Sequence, residues 1–436
     1  MLDKLVKDFS YKILDDYKKF DLDDIEISIL SASNISLKSR NIKMENIERS
    51  KNLTINVNIY KNKRKATISL NNIEKSKPSQ ILERGSAMVK CMPIDEFCGL
   101  PNSESYADEI INLDLEDKEN INEDALLEQA KIAEAIMLEN KIITNTEGAS
   151  RSYSKNTISL LTSKGFHSSY TKTFHSLSCI AIAGKDTNMQ RDYEYSTAIH
   201  ASDMMSPNEI GKKASNRASS RLNSKKIKSC TLDIIFEPRV AKSILSSFAS
   251  CASGASIARG TSFLNKKLKS SIFNKDIIIT NNPRLNRGLG SKPYDSDGIK
   301  NNNITIVNKG ILDNYFLATR NARQLNLSAN GNSSPSNLTL QNGKQSLSDL
   351  ISGIDNGFLV TEMLGMSFNA VNGDYSRGAA GFKIDKGELS YPVSEVTIAG
   401  NMIDMLLNLT PANDLEINDN INSPSILIEN MTLAGL

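Results

Sequence analysis

The sequence has very few of the residues that usually hold zinc. It contains three histidines, His167, His175 and His200; none is followed by glutamate, and no two lie within one helical turn of each other. Zinc hydrolysis normally requires two imidazoles on one helical face and a carboxylate as general base, as in H-E-x-x-H. The even spacings of His167, His175 and Cys179 would place them on one face of an extended strand, where such residues more often pack or face solvent than bind metal.

Paired cysteines and long apolar runs are also absent. The five cysteines are odd in number, contain no C-x-x-C pair and end at Cys251, which indicates free thiols in a reducing compartment. No run approaches the roughly 18 apolar residues that a membrane-spanning helix needs. The amino-terminal MLDKLVKDFSYK places charges where a signal peptide has an uninterrupted apolar core. These features predict a cytoplasmic protein that does not enter a membrane.

The chain has no marked excess of either charge. Its 52 basic and 50 acidic residues leave a formal net charge of +2, whereas a dedicated nucleic-acid binder usually shows a larger or more clustered basic excess. The hydrophobic fraction of 39% and the charged fraction of 23% are typical of soluble globular proteins, and 436 residues allow two or three domains. We therefore expect a soluble protein without a nucleic-acid partner.

Hydrophobic periodicity predicts an α+β fold. Apolar residues from Leu2 to Tyr17 follow helical spacing, and Ile25, Ile27 and Ile29 alternate with polar residues as in a half-buried antiparallel strand. The charged segment 114–124 predicts a linker, and Ser206 before Pro207 predicts the N-cap of a helix.

From Cys230 onward, short strands alternate with glycine and asparagine turns, and the polar segment 328–349 is typical of a surface loop. We divide the chain into an N-terminal α+β subdomain (1–113), a second subdomain of helix, strands and helix (114–223) and a β-rich C-terminal domain (224–436).

Three glycine-containing segments raise the question of a binding loop. LNRGLGSKP, residues 285–293, lacks the strand and helix context of a phosphate loop, so a turn is favoured. YDSDG, residues 294–298, has two carboxylates without an EF-hand pattern, and a structured turn is favoured over a cation site. GDYSRGAAGFKIDKG, residues 373–387, fits a pair of hairpin turns; a binding surface is the alternative, since its glycines let another chain approach closely.

Five blocks in order resemble the signature blocks of the TldD/PmbA family, and within it the PmbA branch, also called TldE. They read MQRDYEYSTAIHASDMMSPNEIGKKASNRASSRLN, GASIARGTSFL, GLGSKPYDSDGI, VNGDYSRGAAGFKIDKGELSYPVSEVTIAGNM and PSILIENMTLAG. The resemblance implies an α+β protein that pairs with a TldD-like chain in a cytosolic metalloprotease acting on unfolded or modified peptides. The family also carries the older description "modulator of DNA gyrase".

The chain departs from the zinc site of that family. In the TldD branch a helix carries H-E-x-x-x-H and a later cysteine completes the site, but this chain has no H-E-x-x-x-H and no cysteine after Cys251. The corresponding helix is expected in SSFASCASGASIARGTSFL, residues 246–264, where serine and alanine stand in place of the histidines. Considered as one helix, this region has an uncharged face of Ser243, Ser247, Ser250 and Gly254, which predicts close packing within the chain or against a partner.

The resemblance therefore implies a noncatalytic subunit, with no catalytic residue and no metal in this chain and with zinc in a TldD-like partner. An extended peptide is expected to be held by strand addition. Two alternatives stay open: a homodimeric peptidase with a divergent active site, and a gyrase-associated regulatory binding protein. The candidate residues for binding peptide or partner are small side chains and their neighbours: Ser247, Ser250, Gly254, Arg259, Ser262, Phe263, Asp374, Ser376, Gly378 and Gly381.

Overall fold

The computed structural model describes residues 4–74, 76–365 and 367–436, and Leu2 of the predicted first helix lies outside them. Within these residues, the N-terminal half is built on a six-stranded antiparallel sheet in the order β3-β2-β1-β4-β5-β6. Helices α1 and α2 pack on β1–β3, and α3 and α4 pack on β4 and β5. The strands are β1 (Asp24–Arg40), β2 (Lys43–Lys61), β3 (Arg64–Leu70), β4 (Ile143–Thr162), β5 (His167–Ala183) and β6 (Gln190–Ala198); the helices are α1 (Lys4–Asp16), α2 (Pro78–Cys91), α3 (Glu123–Leu138) and α4 (Pro207–Ser220).

The local sequence patterns of this half are confirmed. Ile25, Ile27 and Ile29 are buried on β1, as their alternation predicted. Ser206 caps α4 in a capping box, because its Oγ accepts from the Glu209 N–H at 3.3 Å and the Glu209 carboxylate accepts from the Ser206 N–H at 3.1 Å.

The segment predicted as a linker, 114–124, is packed rather than solvated at its start. Leu115 and Asp117 are buried, and the Thr173 N–H on β5 donates to the Leu115 carbonyl at 2.9 Å. The domain boundary at residue 114 stays a prediction, although β1 and β4 on either side of it pair directly in one sheet.

The C-terminal half contains a closed barrel of five strands in the order β14-β13-β12-β7-β17, because β17 also pairs with β14. Closure removes the free edges of these strands. A Cβ at Gly381 would lie 1.8 Å from the Leu359 carbonyl oxygen, so the approach of β13 to β12 requires glycine there. The barrel strands are β7 (Cys230–Phe236), β12 (Asn356–Leu364), β13 (Asp374–Asp385), β14 (Glu388–Asn401) and β17 (Ile426–Ala434).

A smaller five-stranded sheet, β10-β9-β8-β11-β16, shares one apolar core with the barrel and with α5 (Pro238–Cys251). The segment 328–349 contributes strand β11 and buried Asn332 to this part of the fold, so its prediction as a surface loop is wrong. In the described chain, no helix combines the length and apolar composition needed to span a bilayer. The remaining elements are α6 (Gly254–Arg259), β8 (Ile279–Asn281), β9 (Ile304–Asn308), β10 (Ile311–Leu312), α7 (Thr319–Gln324), β11 (Leu338–Leu340), α8 (Leu347–Ser352), α9 (Met402–Leu407), β15 (Leu409–Pro411) and β16 (Ile421–Asn422).

The serine-rich stretch forms two helices, so the prediction of one continuous helix is wrong. α5 ends at Cys251, and Ser253 is extended and forms a β-bridge with Phe316 before α6 begins. The Gly254 N–H donates to the Phe316 carbonyl at 2.7 Å, and a Cβ at Gly254 would lie 2.8 Å from the same oxygen. Gly254 therefore packs against Phe316 within the chain, and it does not share a helical face with Ser247.

A largely buried group of ionic side chains joins β6 to the first turn of α5. We call Asp192, Arg221, Glu237 and Arg239 the Asp192 cluster. The Asp192 carboxylate accepts from Arg239 Nη1 at 2.8 Å and from Arg221 Nη1 at 3.3 Å, and its side chain is 3% exposed. Although burial raises the pKa of Asp192, the hydrogen bond and charge of Arg239 outweigh it and leave that pKa below its usual value. The cluster therefore holds a carboxylate ionised between the two halves of the chain.

We expect Asp192→Asn to lower the free energy of unfolding at pH 7 by about 3 kcal/mol. This is the low end of the cost of breaking a buried ion pair, because Arg239 keeps Glu237 as a second partner. The folded-state pKa is lowered, so this stabilisation is present above the unfolded pKa of about 3.9 and is lost as the pH falls below it. Urea unfolding measures the change. The control is Asp108→Asn, which removes a solvent-exposed ion pair with Lys300 and should change the free energy of unfolding far less; equal losses would contradict the assignment.

The YDSDG segment is a structured turn, as the sequence favoured. Asp295 is 2% exposed, and its Oδ1 accepts from the Asp297 and Ile299 N–H groups at 2.9 Å each. Burial, assisted by the charge of Asp297, raises the pKa of Asp295 to about 7. The folded protein therefore keeps a proton on Asp295 that the unfolded chain releases above about pH 4.

This raised pKa predicts a pH dependence of stability. The contribution of Asp295 is present below the unfolded pKa and is lost as the pH rises through about 7. Asp295→Asn keeps the Oδ1 acceptor and cannot ionise, so its urea midpoint should decline less than that of the wild type between pH 5 and pH 8. Identical pH profiles of the two proteins would show that Asp295 titrates normally.

Candidate functional site

A groove of three connected compartments lies between α5 and the segment before β13. The middle compartment, of about 510 Å³, shares Arg239, Lys242 and Ile421 with one neighbour of about 280 Å³. It shares Ser367, Phe368 and Tyr375 with the other, of about 470 Å³. The groove therefore runs from the edge of the N-terminal sheet, across α5, to the start of β13.

One wall of the middle compartment is the serine face of α5, formed by Ser243, Ser246, Ser247 and Ser250. Spacings of three and four residues place these side chains on one side of the helix. Their hydroxyls are largely used by the helix itself, since Ser247 Oγ donates to the Ser243 carbonyl at 3.0 Å and Ser250 Oγ to the Ser247 carbonyl at 2.7 Å. The wall is therefore uncharged and lacks strongly directional donors.

Lys242 lies where the first two compartments meet. Its Nζ donates to the Asp419 carboxylate at 2.5 Å and also bonds to the Tyr195 hydroxyl. Burial alone would lower the pKa of Lys242, but Asp419 and Tyr195 raise it above its usual value. Lys242 is thus a protonated, paired ammonium and is unsuited to act as a general base.

Arg377 enters the same compartment from β13. Its Nη1 donates to Ser243 Oγ at 3.2 Å and its Nε to the Gly365 carbonyl at 2.9 Å. Tyr375, two residues earlier, is 3% exposed, and its burial raises its pKa to about 12. Arg377 is therefore held in place by a hydroxyl and a carbonyl, which are both neutral groups.

The structure brings four of the predicted binding residues to this groove. Ser247 and Ser250 line the middle compartment, and Asp374 and Ser376 line the next one. The Asp374 carboxylate accepts from Asn372 Nδ2 at 2.6 Å, which fixes its orientation.

The other predicted residues lie outside the groove lining. Ser262 is buried and donates to the Cys251 carbonyl at 2.8 Å, and the Phe263 N–H donates to the Ala370 carbonyl at 2.8 Å. Arg259 is exposed at the end of α6, Gly254 packs on Phe316, and Gly378 and Gly381 belong to barrel strand β13. Their roles as binding residues stay predictions.

No sequence pattern indicated three residues that line the middle compartment: Lys242, Asp419 and Phe368. Arg377 stands within the GDYSRGAAG motif, so a signal for it was present. Asp419 reaches Lys242 across 177 positions of sequence, and no local pattern indicates that contact.

The residues present do not fit zinc. In residues 4–74, 76–365 and 367–436, no group of three or more His, Cys, Asp and Glu side chains could hold a metal ion. The described lining of the groove contains neither histidine nor cysteine, the ligands that zinc prefers. Its Asp419 is already paired with Lys242.

Comparison with known proteins agrees with this architecture. Residues 109–222 match the PmbA/TldA metallopeptidase central domain, and residues 229–435 match the PmbA/TldA metallopeptidase C-terminal domain. Metalloprotease PmbA of Escherichia coli O157:H7 is 32% identical over 416 residues, which cover 95% of this chain and 92% of that protein.

Solved structures share the fold over nearly the whole chain. A Bacteroides thetaiotaomicron protein described as a modulator of DNA gyrase has a TM-score of 0.93 at 27% identity, covering 100% of both chains. TldE from Thermococcus kodakarensis has a TM-score of 0.84 at 20% identity, covering 98% of this chain and 100% of that one. As the sequence blocks predicted, the chain belongs to the PmbA/TldD metallopeptidase family and to its PmbA (TldE) branch.

Proposed function

We propose that this chain is the noncatalytic subunit of a cytosolic two-subunit peptidase, and that its groove holds part of an unfolded or modified peptide. One observation carries the proposal: the serine face of α5 lines an open groove whose described residues include no set of zinc ligands. A TldD-like partner would supply the zinc, and this chain would supply shape and contacts along the peptide.

The borders of the groove favour one place for strand addition. β16 is the last strand of the small sheet, and its Ile421 lines the groove, so an extended peptide can pair with that edge through backbone bonds. On β6, the opposite border, the N–H groups of Tyr193 and Tyr195 already donate to the carboxylates of Asp192 and Glu194. Pairing there would break those bonds, so the β16 edge is the better site.

The subunit assignment is tested by metal analysis and by size-exclusion chromatography with the TldD-like protein of the same cell. We expect the chain alone to carry no stoichiometric zinc and to cleave no peptide. The complex should hold about one zinc per pair and lose cleavage on chelation. Stoichiometric zinc and chelator-sensitive hydrolysis in the chain alone would instead establish a homodimeric peptidase.

The groove is tested by filling it. Ser250 is exposed on the groove wall, so Ser250→Trp would place an indole in the middle compartment. We expect KM for peptide cleavage by the complex to rise about tenfold or more, with complex formation unchanged. Ser348→Trp, at an exposed serine on α8, is the matched control. An unchanged KM for Ser250→Trp would exclude the groove as a peptide site.

A further inference from the structure

Arg377 differs from Arg239 and Lys242, the other two cations that line the middle compartment, in what it contacts. Arg239 is bound by Asp192 at 2.8 Å, and Lys242 is bound by Asp419 at 2.5 Å, so both charges are compensated. No carboxylate in the described part of the chain forms an ion pair with Arg377, whose hydrogen bonds go to a serine hydroxyl and a backbone carbonyl. The middle compartment therefore contains one guanidinium without a described anionic partner.

The position of this guanidinium is set before any ligand arrives. The Gly365 carbonyl accepts a hydrogen bond from Arg377 Nε, and Ser243 Oγ accepts one from Arg377 Nη1. Ser243 Oγ in turn donates to the Val240 carbonyl at 2.8 Å. The planar group still has further N–H donors on Nη1 and Nη2, which can bind the two oxygens of a carboxylate in parallel. An arginine that is already held by two hydrogen bonds loses little side-chain conformational entropy when it binds an anion.

The surroundings strengthen an interaction with an anion. Tyr375 is buried beside Arg377, and Phe368 lines the same compartment, so part of the wall is apolar and excludes water. A charge pair formed there is less screened than one on an open surface. The serine face of α5, which contacts Arg377 through Ser243, carries no negative charge.

We propose that Arg377 binds a carboxylate of the peptide, so that the groove selects peptides that present a free C-terminal carboxylate or an acidic side chain to the middle compartment. This inference rests on the proposed function, since it specifies the class of peptide that the groove holds. Arg377 is a binding residue in this assignment and takes no part in bond cleavage.

The test measures binding of dansylated hexa-alanine peptides to the isolated full chain by fluorescence anisotropy. The three probes are the free acid, its C-terminal amide, and an amide with one central glutamate. We expect the free acid or the glutamate peptide to bind about tenfold tighter than the plain amide, with the difference shrinking at high salt. A preference for the free acid alone identifies the C-terminal carboxylate, and equal binding of both acidic probes shows that a side-chain carboxylate is sufficient.

Variants separate the charge from its geometry. Arg377→Gln should remove the preference for acidic probes, and Arg377→Lys should keep part of it, because an ammonium retains the charge without the bidentate fork. Arg320→Gln, at an exposed arginine on α7, is the control, and thermal unfolding checks that each variant is folded. Equal binding of all three probes, no detectable binding of any, or a preference that survives Arg377→Gln would overturn the inference.

Failure of the inference is distinguishable from failure of the proposed function. If the complex with the TldD-like protein forms and cleaves amidated and acidic peptides equally, the carboxylate site is wrong and the subunit role stands. If no complex forms but acidic probes bind through Arg377, the subunit role is wrong and the carboxylate site stands.

Discussion

The ion pair between Asp192 and Arg239 is the constraint on which the groove depends. Arg239 stands in the first turn of α5, and it donates both to Asp192 on β6 and to the Thr361 carbonyl on β12 at 2.8 Å. The helix is thereby fixed at its start to the N-terminal sheet and to the barrel together. Because the pair is buried, neither side chain can exchange its partner for water without a large cost. With α5 fixed at its start in this way, Ile244 and Phe248 pack in the shared core. The serine face, on another side of the helix, lines the groove.

Local periodicity was sufficient to predict the elements whose stability is local. The alternation of Ile25, Ile27 and Ile29 and the capping box at Ser206 need only neighbouring residues, and both are present. The segment 328–349 was misjudged because its composition is polar. In the structure Asn332 is buried, and its Oδ1 accepts from Asn281 Nδ2 at 2.8 Å, so a distant amide satisfies it. A sequence shows that asparagine is polar, but it does not show where the partner lies.

The same limit explains the groove. The small residues of α5 were visible as a pattern, so Ser247 and Ser250 could be predicted. The break of the helix at Ser253 could not, because it depends on the strand-like bridge to Phe316. The ion pair of Lys242 could not be predicted for a related reason. In the sequence Lys242 is one polar residue on an amphipathic helix, and its partners Tyr195 and Asp419 come from two distant parts of the chain.

The serine face also determines how selective the groove can be. A hydroxyl that donates to a carbonyl of its own helix has only acceptor capacity left for a ligand, and that capacity is weakly directional. In the proposed peptide complex, such a wall would distinguish peptides mainly by the width of their side chains, and a strand edge at β16 would distinguish them mainly by their backbone. Discrimination by side chain or terminus must then come from the few groups that keep a free charge or donor. This division is consistent with the proposed role, in which the subunit accepts many sequences and a partner would carry out the chemistry.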